Sequence, residues 1–95
     1  MFQSTISALT DPTRRSILRI LREGSLTAGE IAEKFHQTKP TISHHLKLLK
    51  EANIVRTERK GTSIVYTLQS NVLEDLAAEI LDLADRTAKK KGATR

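Results

Sequence analysis

Apolar positions recur along the chain with a period near 3.6, then with a period of 2, then near 3.6 again, and each change marks a new element. Phe2, Ile6 and Leu9 lie at helical spacing and predict a short first helix. Asp11-Pro12 restarts the chain, because Asp is a favoured N-cap and Pro suits the first helical turn. Ile17, Leu18, Ile20 and Leu21 give this second helix an apolar face, with Arg14, Arg15, Arg19 and Arg22 expected in solvent and Gly24 as its terminator. Thr27-Ala28-Gly29-Glu30 has the form of a capping box and predicts a short third helix through Ile31, Ala32 and Phe35.

His36-Gln37-Thr38 is expected to be a tight turn, with Thr38 capping a fourth helix from Lys39 to about Glu51. Ile42, His45, Leu46 and Leu49 fall on one side of that helix, and Lys39, Pro40, Ser43, His44 and Lys47 fall on the other. After Ala52-Asn53 the period becomes 2. Val55 to Arg59 and Ser63 to Leu68 alternate around Lys60-Gly61-Thr62, which predicts a β-hairpin with a basic tip. Asn71 is the expected cap of a last helix, where Leu73, Leu76, Ala77, Ile80, Leu81, Leu83 and Ala84 make a broad apolar stripe. This order of elements predicts a mainly α chain with a small β-hairpin (α+β), a winged helix-turn-helix with an additional helix at each end. One domain is expected over residues 1–88, followed by a basic, disordered tail at 89–95.

Charge sharpens the picture. The 95 residues carry a net charge of +5, and an isoelectric point near 9.9 is the electrostatic footprint of nucleic-acid binding. Residues 1–70 hold eleven basic and six acidic side chains, whereas Glu74, Asp75, Glu79, Asp82 and Asp85 make the last helix acidic. Phosphate would repel that helix, so it should face away from any bound nucleic acid. The three aromatics, Phe2, Phe35 and Tyr66, are too few for a single-strand stacking platform. No apolar run approaches the roughly 18 residues of a membrane span. Met1-Phe2-Gln3-Ser4-Thr5 lacks the blocks of a signal peptide, so a cytoplasmic, nucleoid-associated protein without membrane insertion is expected.

A helix that enters a major groove needs an apolar back and a small, polar, basic front. Residues 39–50 have both. Lys39 and Lys47 are assigned to phosphates, and Thr41, Ser43 and His44 are short enough to let the helix sit deep beside Pro40. Gln37 and Thr38 precede the helix where free amides favour a phosphate. Arg59, Lys60, Gly61 and Thr62 place the hairpin tip on phosphate or an adjacent minor groove. Double-stranded DNA is therefore the expected partner.

The apolar stripe of the last helix, joined by Phe2, Ile6 and Leu9, predicts a self-complementary contact between two copies. No metal site and no cofactor are expected. Cys is absent, and the adjacent His44 and His45 project about 100° apart on a helix, so they cannot grip one ion. Nor is an enzyme expected, for the chain has no nucleophile elbow, phosphate-binding Gly loop or paired His and acid at helical spacing.

Leu9-Thr10-Asp11-Pro12-Thr13-Arg14-Arg15, Leu26 to Ala32 and Thr41 to Leu49 resemble the ArsR/SmtB family of bacterial winged-helix repressors. The Ser43-His44-His45-Leu46 run, with Lys60-Gly61 and Tyr66, is similar to the autorepressor branch named for the repressor of the sporulation-delaying protein. The resemblance implies a homodimer joined by its first and last helices that represses a promoter, often its own, until a signal releases it. An inducer or anti-repressor protein, a small molecule and expression level alone all stay open as that signal. Metal-sensing members use Cys on the third helix, or Asp, His and Glu on the last. Here the third helix carries Ala28, Gly29, Ile31 and Ala32, and the last helix has no His. Two other readings stay open: a metal- or ligand-gated sensor using the acidic last helix, and a protein-interaction module without DNA function.

Overall fold

Three polar side chains start three helices. Asp11 Oδ2 accepts from the Arg14 amide at 3.1 Å and opens α2, Pro12–Leu21. Thr27 Oγ1 accepts from the Glu30 amide at 3.1 Å while Glu30 Oε1 accepts from the Thr27 amide at 2.8 Å, a reciprocal box that opens α3, Ala28–Glu33. Thr38 Oγ1 accepts from the Thr41 amide at 3.3 Å and opens α4, Lys39–Glu51. Each satisfies a donor that the first turn otherwise leaves free. The computed structural model describes residues 2–85. The basic segment expected to be a tail, 89–95, lies outside the described residues, as does the expected domain end at 88.

The core lies between α2, α3, α4 and the strands that follow. Ile17, Ile31, Ile42, Leu46, Leu49, Ile54 and Val55 are its fully buried large side chains. The side of α4 predicted to be apolar is the side that is buried. Its end is closed by a Schellman motif: the Ile54 amide reaches Leu49 O at 3.1 Å and the Asn53 amide reaches Lys50 O at 2.9 Å. Asn53 takes the required left-handed conformation, φ 61°. This tight stop drops Ile54 and Val55 straight into the core.

The expected hairpin is present as β2, Val55–Lys60, and β3, Ser63–Leu68, with Lys60 opposite Ser63. Only Gly61 and Thr62 form its loop. Gly61 has φ +63° at the first central position, the one that a type II′ hairpin turn reserves for glycine. The sheet has a third strand that the alternation did not reveal: β1, Leu26–Thr27, pairs antiparallel with β3 and gives the order β1-β3-β2. Ser25 and Thr67 hydroxyls, 2.7 Å apart, continue that edge. Tyr66 lies in the middle strand, where burial pushes its phenol above the usual value.

The terminal helices meet the core in different ways, and the last one departs from expectation at its start. α1 spans Gln3–Ala8 and turns Thr5 and Ala8 inward, while Ile6 points outward with 51% of its surface exposed. α5 spans Ser70–Ala84 and follows Gln69, so Asn71 sits inside the first turn and is not the cap. Gln69 anchors the entry instead: its amide donates to Ile54 O at 2.8 Å and its Nε2 to Asn53 O at 3.0 Å. The result is a winged helix-turn-helix in which α3 and α4 form the helical pair and β2–β3 the wing.

Candidate nucleic-acid interface

The turn before α4 and the first turns of that helix carry the outward residues. Gln37, Thr38, Lys39, Pro40, Thr41, Ser43, His44 and Lys47 are all exposed. They surround a helix whose back, Ile42, Leu46 and Leu49, is locked into the core, so the front is held on a rigid support. Thr38 Oγ1 also donates to Thr41 Oγ1 at 2.9 Å, which orders the two hydroxyls at the helix mouth. At the wing, Arg59, Lys60, Gly61 and Thr62 are exposed as well. Every expected DNA-facing residue is therefore on the surface, on α4 with its preceding turn or at the wing tip.

Gln37 needs a qualification that the sequence could not give. Its Nε2 donates to Thr13 Oγ1 on α2 at 2.8 Å. Part of its hydrogen-bonding capacity therefore goes to fixing the turn, and it serves both as surface and as brace.

Acidic groups lie at the other end of α4. Glu51 and Asp75 share one groove with Asn53 and Val72, where α5 begins. Lys39 and Glu51 are the two ends of α4, twelve residues apart, or about 18 Å along the axis at a helical rise of 1.5 Å. Lys39 and the Glu51–Asp75 groove are thus separated by the length of the helix.

The two adjacent histidines have different surroundings. His44 is exposed beside Ser43 and Lys47. The His45 side chain is only 12% exposed and packs at the edge of the core, as its spacing suggested. Its Nδ1 lies 3.2 Å from Arg14 Nη1 and 3.9 Å from Asp11 Oδ2. Burial alone would raise the Asp11 carboxyl, but the Arg14 amide, His45, the Thr13 amide and the Arg14 guanidinium together hold it below its usual value. Among the described residues no group of three His, Asp or Glu side chains is placed to hold a metal ion.

Arg14 overturns one expectation directly. It is half-buried, not a solvated side chain, with Nε donating to Ala8 O at 2.7 Å and Nη2 to Ser7 O at 3.3 Å. Arg15 Nη1 likewise donates to Leu9 O at 2.7 Å. The two arginines donate to the carbonyls of Ser7, Ala8 and Leu9 at the end of α1, a role that only the folded chain makes visible.

The residues expected at a subunit contact divide into three groups. Leu76 is 5% exposed and belongs to the core of its own chain, so it backs the face without forming it. Leu9 and Leu73 are half-buried against the core, and Phe2 is half-buried on the same side of the fold. Ile80, Leu81 and Leu83 are 54%, 68% and 71% exposed, and Ala77, Ala84 and Ile6 are exposed with them.

Comparison with known proteins agrees with this geometry. The model of the bacterial regulatory protein, arsR family, matches residues 11–57, from the α2 cap into the first wing strand. The transcriptional repressor SdpR of Bacillus subtilis is 50% identical over 72 residues, covering 76% of this chain and 80% of SdpR. An arsenical resistance operon repressor of Staphylococcus xylosus is 36% identical over 69 residues, covering 73% of this chain and 66% of the repressor. The crystal structure of an ArsR family transcriptional regulator superimposes with a TM-score of 0.81 at 26% identity, covering 86% of this chain and 90% of that one. The transcriptional repressor BigR of Xylella fastidiosa gives a TM-score of 0.67 at 28% identity, covering 84% and 82%.

Proposed function

Because the chain belongs to the arsR family of bacterial regulatory proteins and is a DNA-binding transcriptional regulator, not an enzyme, we propose that it acts as a homodimeric repressor that reads an imperfect palindrome near its own promoter. The single observation that carries this reading is the front of α4. Small polar and basic side chains stand exposed there over a back that is wholly buried. Such a helix can lie deep in the major groove, with Thr41, Ser43 and His44 at base edges. Lys39 and Lys47 then meet flanking phosphates, and the amides at the helix mouth beside Thr38 and Pro40 favour the same charge. Arg59, Lys60, Gly61 and Thr62 reach the neighbouring backbone or minor groove from the wing.

A two-fold partner supplies the second α4. Ile6, Ala77, Ile80, Leu81, Leu83 and Ala84 present apolar surface that water covers in a single chain, and burying it against an identical face is favourable at about 25 cal/mol per Å². Leu9, Leu73 and Phe2 extend that face from its edge. The similarity to SdpR, named as a repressor, supports the sign of regulation. An inducer or anti-repressor protein would release the DNA. The metal-sensing positions of the family hold Ala28, Gly29, Ile31 and Ala32 on α3, with no His on α5.

The test is selection of bound duplexes from a random-sequence pool followed by footprinting. Two inverted half-sites about 34 Å apart, centre to centre, are expected. Enrichment of a single, unrepeated half-site would overturn the dimeric reading.

A further inference from the structure

Arg14 stands where α1, α2 and α4 meet. A guanidinium only donates hydrogen bonds, so in the 3.2 Å contact from its Nη1 the His45 Nδ1 is the accepting atom. The same planar group donates to the carbonyls of Ala8 and Ser7, which end α1. Its donors form a fixed fork. The end of α1 and the ring of His45 are therefore held at set positions on one rigid plate, itself rooted in α2 two residues after Pro12.

This plate is connected to the reading face. The ring centroids of His44 and His45 are 6.2 Å apart, and His45 lies between Ser43 and Lys47 on α4. A change in the angle of α1 against α4 therefore moves the groove-facing side chains, although neither Arg14 nor His45 is among the exposed residues of that face. On the opposite side of the link, α1 carries the exposed Ile6.

We propose that Arg14 and His45 form a positioning pair that fixes the pose of α4 relative to α1, and so sets the half-site spacing that the dimer accepts. The proposal rests on the dimeric DNA-reading function above. Loss of the pair loosens α4 against the rest of the subunit and blunts discrimination between spacings, without removing a phosphate contact.

The experiment uses full-length protein, the duplex it selects from a random-sequence pool, and the same duplex with one base pair inserted between its half-sites. The insertion moves one half-site about 3.4 Å along the axis and about 34° around it. Wild-type protein is expected to prefer the selected spacing strongly. In Arg14→Gln and His45→Leu that preference falls about tenfold each, and the double variant falls no further, as expected for two ends of one interaction. His45→Asn keeps the preference within about threefold of wild type, because its carboxamide oxygen can accept near the place of Nδ1. The slope of affinity against salt stays unchanged in all of them.

Several results would overturn the positioning role. Arg14→Gln and His45→Leu could keep the full spacing preference while only their melting temperatures fall, which is what a merely structural pair gives. His45→Asn could fail as completely as His45→Leu, or the losses could add. A lowered salt slope in Arg14→Gln would make Arg14 a phosphate ligand instead. If Arg14→Gln does not fold, the contrast between the two His45 variants decides. A wild-type protein that selects no inverted repeat overturns the dimeric reading itself, whereas one that selects a repeat while the variants keep their preference overturns the positioning role alone.

Discussion

Gln37 Nε2 donates to Thr13 Oγ1 across 2.8 Å, joining the turn before α4 to the first turn of α2. The bond spans 24 residues of sequence and fixes the entry of α4 from outside that helix. A side chain that looks like a DNA ligand by position is thus partly occupied inside the protein. Thr13→Val removes the acceptor and keeps the shape. Net hydrogen bonds of this kind contribute about 1 kcal/mol, so affinity for the selected duplex should fall roughly fivefold with an unchanged salt slope. Unaltered affinity in a fluorescence titration would show that the turn needs no brace.

Lys39 and Lys47 are expected to act through charge alone. Replacing either by Ala should weaken selected and scrambled duplexes by similar factors and lower the slope of log K against log salt by about one unit. Ser43→Ala or His44→Ala should instead reduce the preference between the two duplexes. Lysine variants with the wild-type slope would remove the phosphate role.

Asp11 gives stability a pH dependence with a definite sign. Its carboxyl titrates below the ordinary value in the folded chain, so the unfolded state takes up the proton first as pH falls. The stabilisation is complete above the unfolded value, about 3.9, and is lost as pH drops through the lower folded value. Asp11→Ala should cost about 1 kcal/mol at neutral pH through the lost cap, and the gap to wild type should narrow below pH 4. Asp11→Asn, which still caps, should stay nearer to wild type at pH 7. Denaturant melts of the three proteins at several pH values check this, and a gap that is constant down to pH 2 would contradict it.

Leu81 and Leu83, the most exposed of the large apolar side chains, are the residues on which the subunit contact is staked. Leu81→Glu or Leu83→Glu should move the protein from dimer to monomer in sedimentation equilibrium with little change in melting behaviour at low concentration. A glutamate inside an apolar contact is left desolvated and unpaired. Dimers that persist in both variants would place the contact elsewhere.

What the chain announces in advance is what is local. The Thr27–Glu30 box and the Thr38 cap are three-residue relationships, and the face of α4 repeats over thirteen residues, so both could be read directly. The same holds for the wing, where alternation and Gly61 agree. β1 escaped because two residues have no period, and their partners, Val65 and Tyr66, lie some forty residues away. The inward side of α1 has no signature in the sequence, because six residues make fewer than two turns and the buried pair, Thr5 and Ala8, is not the apolar set Phe2, Ile6 and Leu9. Arg14 reads as solvated because nothing in the sequence places its guanidinium against the carbonyls that end α1 and the ring of His45. The Asn53 stop did leave a trace: an Asn after a helical run, followed at once by two apolar residues, is the pattern of a Schellman motif.

The central claim, a repressor that reads a specific operator through α4, is tested most directly by fluorescence anisotropy on the DNA immediately upstream of its own coding sequence. A scrambled duplex of equal length serves as reference, and both are titrated across a salt series. The account predicts tight binding with a preference of about 10³-fold or more for the upstream DNA, persisting as salt rises. Equal affinities for the two duplexes, falling together with salt, would contradict it and leave only a basic surface that holds any DNA.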